Sequence, residues 1–174
     1  MHENLLAVKV DGPTKENLVW GFRVGFVTFA ARGLADRHYD ALGQKVLGAI
    51  RSSVSNSSQP AQSLLLKAMQ DPAYEQQKQE AFATLAARYR RAREMAARTP
   101  PPLRALPFNS GYFMTFELER GGAEALRKRL LLEHGVGTIA FQDRYLRVAY
   151  SSVEAERIEE LYTLIFQAAQ KLTA

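Results

Sequence analysis

The chain has 174 residues, 47% hydrophobic and 24% charged, which is enough to bury one good core and part of a second. Its formal charge is +5 and it has no cysteine, which rules out disulfides and thiolate metal sites and fits a reducing compartment. No apolar run approaches the ~20 residues of a membrane span and no signal-peptide pattern opens the chain, so a cytoplasmic location without membrane contact is expected.

In chain order, Leu5–Val10 reads as a buried strand that runs into a turn at Gly12-Pro13. Phe22–Ala30, rich in aromatic and β-branched residues, reads as a second strand. Two apolar strands do not make a stable sheet alone, so further strands are expected beside them. Asp36 suits the N-cap of a helix to about Ile50, and Gln62–Gln70 reads as a short helix broken at Asp71-Pro72. From Pro72 to Arg98 a long amphipathic helix is predicted, stopped by Pro100–Pro102. A compact α/β unit follows. Phe108–Glu119 is a loop entering a strand, Gly122–His134 a helix capped by Gly135, and Gly135–Phe141 with Tyr145–Tyr150 two short strands. Glu154–Leu172 is a closing helix with Ile158, Leu161, Tyr162, Ile165 and Leu172 on its buried face. The fold class is therefore α/β: a strand pair with helices, then a small sheet covered by helices on one side. Residues 1–71, 72–102 and 103–174 are the expected first portion, linking helix and C-terminal α/β unit.

The three histidines, His2, His38 and His134, lack the spacing of a zinc helix, so no metal site is assigned. Arg88, Arg90, Arg91, Arg93 and Arg98 cluster on the long helix, but no nucleic-acid motif accompanies them and a solvated face is the plainer reading.

Lys15 is followed six residues later by Gly21, then Arg23 and Gly25 at two-residue steps. A lysine on a turn is ordinarily just an exposed charge. This spaced set, however, resembles the cofactor-lysine motif of class I/II, aspartate-aminotransferase-like, fold-type I pyridoxal-phosphate (PLP) enzymes. There the lysine forms a Schiff base with PLP and the arginine grips its phosphate with a planar fork of donors. Many members place a hydroxyl residue three positions before the lysine; here Gly12 stands there, with Thr14 beside Lys15. A second resemblance is Arg51, four residues before Ser55-Asn56, where dicarboxylate-using members carry the arginine that reaches across a dimer interface to the distal carboxylate. The paired prolines usual after that Ser-Asn are absent. A third is YLRVAYSS, Tyr145–Ser152, which is similar to the family strand whose arginine binds the substrate α-carboxylate; Arg147 takes that place. Tyr112 falls where the family has a small-domain loop beside the substrate.

The resemblance implies a PLP-dependent aminotransferase that moves an amino group between an amino acid, of the aspartate/glutamate kind if Arg51 contributes, and a 2-oxo acid. Lys15 would bind PLP and shuttle the proton, Arg23 hold phosphate, and Arg147 orient the amino acid, in a homodimer. In the family the aspartate on the pyridine nitrogen and most of the phosphate loop come earlier in the polypeptide. The chain thus looks like the C-terminal part of such an enzyme with its N-terminal half absent, and no appreciable activity is expected of it alone. The alternative is the aminotransferase-like ligand sensor of a bacterial transcription regulator, in which the same residues bind without turnover.

Overall fold

The computed structural model describes residues 2, 4–119 and 122–173. The chain divides into two compact units, Met1–Lys78 and Gln79–Ala174, with the boundary inside one long helix.

In the first unit β1 (Leu6–Asp11) pairs antiparallel with β2 (Phe26–Ala31), from Leu6 opposite Ala31 to Asp11 opposite Phe26. The expected second strand began at Phe22, but β2 starts four residues later because the chain first folds back on itself. Pro13, at the first position of a single helical turn, α1 (Pro13–Glu16), supplies the fixed φ that such a turn needs. A 3-10 turn follows at Trp20–Phe22, and Arg23 then takes a left-handed conformation with φ 53°. That turn drives Val24 inward against Ala61 and Leu65, with Val19 and Phe22 beside them. The long connection between the strands is thereby closed on α3 (Gln59–Met69).

Asp36 is the first residue of α2 (Asp36–Ser53) rather than its cap. Ala35 occupies the cap position, and its N–H is accepted by His38 Nδ1 at 3.0 Å. The Tyr39 hydroxyl bonds both the N–H and the carbonyl of Ala31 at 3.1 Å, which fixes α2 to the end of β2. α3 is capped conventionally, by Ser58 Oγ accepting from the Ala61 N–H at 3.3 Å. The long helix, α4, runs Tyr74–Ala96.

The second unit holds a four-stranded antiparallel sheet in the order β3-β4-β6-β5. Its strands are β3 (Leu103–Ala105), β4 (Met114–Leu118), β5 (Ile139–Phe141) and β6 (Tyr145–Val148). β3 was not expected; three residues directly after a proline run carry too little alternation to read. The helices are α5 (Ala123–His134), ended by Gly135 at φ 65°, and α6 (Ile158–Thr173). Met114, Phe116 and Leu118 of β4 and Leu146 and Val148 of β6 project to one face. There they are buried with Leu126 and Leu130 of α5 and Ile158, Tyr162 and Ile165 of α6. Strand alternation sends the residues between them to the opposite face: Thr115 and Glu117 from β4, Tyr145 and Arg147 from β6. Among the described residues, no helix is long and apolar enough to cross a membrane.

Candidate active site

Lys15 lies on α1 and is exposed; it makes interactions within its surroundings. Arg23 stands at the far limb of the same connection, three residues before Phe26, which pairs with Asp11. Both cations therefore sit at one end of the two-stranded sheet, because the strand register closes the neck between them. Gly12 and Gly25 form that neck. A Cβ on Gly12 would meet the Val24 carbonyl at 3.5 Å, and one on Gly25 the Asp11 carbonyl at 3.5 Å, so the limbs already touch. The Arg23 guanidinium donates to the Trp20 carbonyl at 3.3 Å, and no carboxylate among the described residues pairs with it. Lys78 and Glu16, 3.9 Å apart, and the Asn17–Tyr74 hydrogen bond secure the connection to the start of α4.

Arg51 is in the last turn of α2 and donates to Ser55 Oγ at 2.8 Å. Ser55 is left-handed, φ 69°, and Asn56 Oδ1 accepts from the Ser57 N–H at 2.9 Å, so the Ser-Asn pair is the turn that reverses α2 into α3. Arg51 is exposed.

Arg147 belongs to the second unit. It lies between Thr115 of β4 and Ile139 of β5, on the sheet face away from α5 and α6, and is half-buried. Its guanidinium carbon is 4.7 Å from the centroid of Phe113, two residues before Thr115 and so on the same face. Stacking of this kind is worth ~0.5–2 kcal/mol and leaves the in-plane donors available. Arg147 Nε is buried with no hydrogen-bond partner, and no carboxylate among the described residues pairs with the side chain. A buried guanidinium donor without an acceptor is costly, and an incoming carboxylate removes that cost. Phe113 was missed in the sequence, where its one signal was its position next to Tyr112; its place beside Arg147 follows from the pairing of Thr115 with Arg147.

The contrast with Glu117, on the same face, is instructive. Glu117 is buried and bonded to both Arg104, its cross-strand partner, and Arg144. Burial pushes its carboxyl up, but the bonds and charges of Arg104 and then Arg144 together outweigh burial and hold it below the ordinary value. Those arginines are committed to a carboxylate of the fold, whereas Arg147 is not. Among the described residues no three His, Cys, Asp or Glu side chains group as a metal site would require.

Residues 8–165 match the family model described as aminotransferase class I and II, and the chain belongs to that family. The fold is correspondingly part of the fold-type I aminotransferase architecture, in a family that is PLP-dependent. An aminotransferase from Anaerococcus prevotii is similar at 21% identity and TM-score 0.72, over 97% of this chain and 40% of that one. The α-aminoadipate aminotransferase LysN from Thermus thermophilus, solved with N-(5'-phosphopyridoxyl)-L-leucine, aligns at 20% identity and TM-score 0.74, over 95% of this chain and 42% of that one. A decarboxylase from Sulfurospirillum multivorans also aligns, at 17% identity and TM-score 0.68, over 98% of this chain and 40% of that one. The chain thus spans about two-fifths of the length of these solved relatives. A sequence comparison with curated proteins finds no match.

The donor set fits PLP. Lys15 offers a primary amine for the aldehyde. Arg23, on the same connection and bonded only to a backbone carbonyl among the described residues, offers a guanidinium for the phosphate.

Proposed function

We propose that the chain serves PLP-dependent transfer of an amino group between an amino acid and a 2-oxo acid, with Lys15, Arg23, Arg51 and Arg147 as its contribution to the site. Because a decarboxylase shares the fold, the reaction has to be argued from residues rather than from architecture. The observation that carries the reading is Arg147: a half-buried guanidinium on an aromatic face, its Nε buried and without an acceptor.

PLP, when bound, supplies the electron sink for labilising bonds at the substrate Cα. Lys15 Nζ would hold the cofactor's aldehyde carbon and, once released, carry a proton at the same nitrogen. Arg23 would clamp the phosphate, and Arg147 would take the α-carboxylate in a bidentate bond that fixes which substrate bond is presented. Arg51, hydrogen-bonded to Ser55, would meet a distal carboxylate and so favour aspartate- or glutamate-like substrates, across the interface of a homodimer. In this reading residues 1–71 close the cofactor-binding large domain, 72–102 link, and 103–174 form the small domain. Because the chain covers two-fifths of its relatives' length, the 174 residues alone are expected to bind PLP weakly and to show no appreciable turnover.

Incubation with excess PLP, borohydride reduction and peptide mass mapping test this directly. The pyridoxyl group is expected predominantly on Lys15, and Lys15→Ala should abolish that labelling. Even labelling of the exposed lysines, unchanged in the variant, would refute the role of Lys15.

A further inference from the structure

We propose that Tyr150, backed by Arg88, is a positioning residue for Arg147, holding the loop that carries Phe113 against its guanidinium. The inference rests on the carboxylate-binding reading of Arg147 and adds what keeps that group aimed.

Phe113 lies at the end of a bent segment, Asn109–Phe113, that precedes β4 and belongs to no helix or strand. Gly111 in this segment takes a positive φ of 94°, a conformation that glycine adopts without strain. The Tyr150 hydroxyl donates to that carbonyl at 2.7 Å. Next along, the Ser151 N–H donates to the Tyr112 carbonyl at 3.4 Å. The short turn Tyr150–Ser152, which begins three residues after Arg147, is thus fastened to the segment that delivers the aromatic ring.

Arg88 holds the other side of this turn. Its guanidinium donates to the Ser151 carbonyl at 2.6 Å and to Glu154 at 2.8 Å, so α4 braces the turn from behind. The tyrosine ring is wedged against Phe108 at 6.0 Å and Tyr89 at 6.4 Å between centroids, which fixes where its hydroxyl can reach. Burial, and secondarily Tyr89 and Tyr112, push the Tyr150 phenol up, so the hydroxyl keeps its proton and remains a donor. The path is continuous: Arg88 to Ser151, Tyr150 and Ser151 to the loop, Phe113 to Arg147. The Arg88–Ser151, Tyr150–Gly111 and Ser151–Tyr112 bonds each end on a backbone carbonyl of the loop or turn.

Loosening this path is expected to let the ring leave the guanidinium and to weaken carboxylate binding. The test uses the full chain, labelled with 15N, and follows the Arg147 Nε–Hε resonance, assigned by its loss in Arg147→Lys. Acetate is the probe, with chloride at matched ionic strength as control. The unsubstituted chain should show a saturable shift with acetate only. Tyr150→Phe and Arg88→Lys should each raise the midpoint about fivefold, the loss of one net hydrogen bond. Leu103→Ala, which thins the same core at the edge strand β3, opposite Leu118, should lower thermal stability and leave the midpoint unchanged. An unaltered midpoint in Tyr150→Phe, or an equal rise in Leu103→Ala, overturns the positioning role while leaving Arg147 as the carboxylate group. No acetate-specific shift in the unsubstituted chain overturns the reading of Arg147, and this inference with it.

Discussion

The two sheets of this protein are both antiparallel and both rich in apolar residues, yet they are supported in opposite ways. In the second unit, α5 and α6 lay their apolar stripes on one face, and Phe116, Leu146, Tyr162 and Ile165 are sealed from water. In the first unit, Leu6, Val8, Val10, Phe26 and Val27 of β1 and β2 stay exposed, and the small buried cluster of Val24, Ala61 and Leu65 forms at the connection instead. A strand pattern specifies a face; a helix of matching stripe is what turns that face into stability. Two strands alone are marginal in water, so what holds Lys15 and Arg23 in place is the packing of the connection rather than the sheet. Arg147, by contrast, stands on strands anchored by a full core.

This comparison is broken hardest by emptying the better-packed core. Phe116→Ala should cost about 3–5 kcal/mol, read by urea unfolding through the near-ultraviolet signal of the buried tyrosines. A loss below about 1 kcal/mol would mean the core tolerates the void.

A smaller effect concerns pH. The Glu117 carboxyl lies below its ordinary value when folded, so its contribution is present above its unfolded pKa and is lost as pH falls through the folded one. Thermal stability should therefore drop in the acid range below the ordinary value of 4.5, and Glu117→Gln should remove that part of the slope. An unchanged slope in the variant would assign the acid loss to other carboxyls. The smallest effect is expected in the other sheet: Val10→Ser, at a site 76% exposed, should shift unfolding by less than about 0.5 kcal/mol. A large loss there would show that something covers β1 in solution.

Most of the second unit was legible because its signals are local. Gly135 stops α5 where a left-handed residue is needed, and α6 carries its stripe at helical spacing over four turns. The start of β2 was not legible, since nothing in the residue type announces that Arg23, a non-glycine, adopts φ 53°. Of the candidate site, the neighbourhood of Lys15 and Arg23 could be read from spacing, because they share one connection. That Arg147 pairs with no carboxylate among the described residues could not, because Arg104 and Arg144 look the same in sequence and only the strand register hands Glu117 to them. Phe113 escaped for the same reason.

The tight turn between β5 and β6 has a second job. Gln142 and Asp143 are both left-handed there, and the Asp143 carboxylate accepts from the Gly122 and Glu124 N–H groups while its carbonyl accepts from Ala123. One short hairpin thereby serves as the lid on the amino end of α5. Any added residue at its tip would withdraw that lid, so this edge of the small sheet has little freedom to grow.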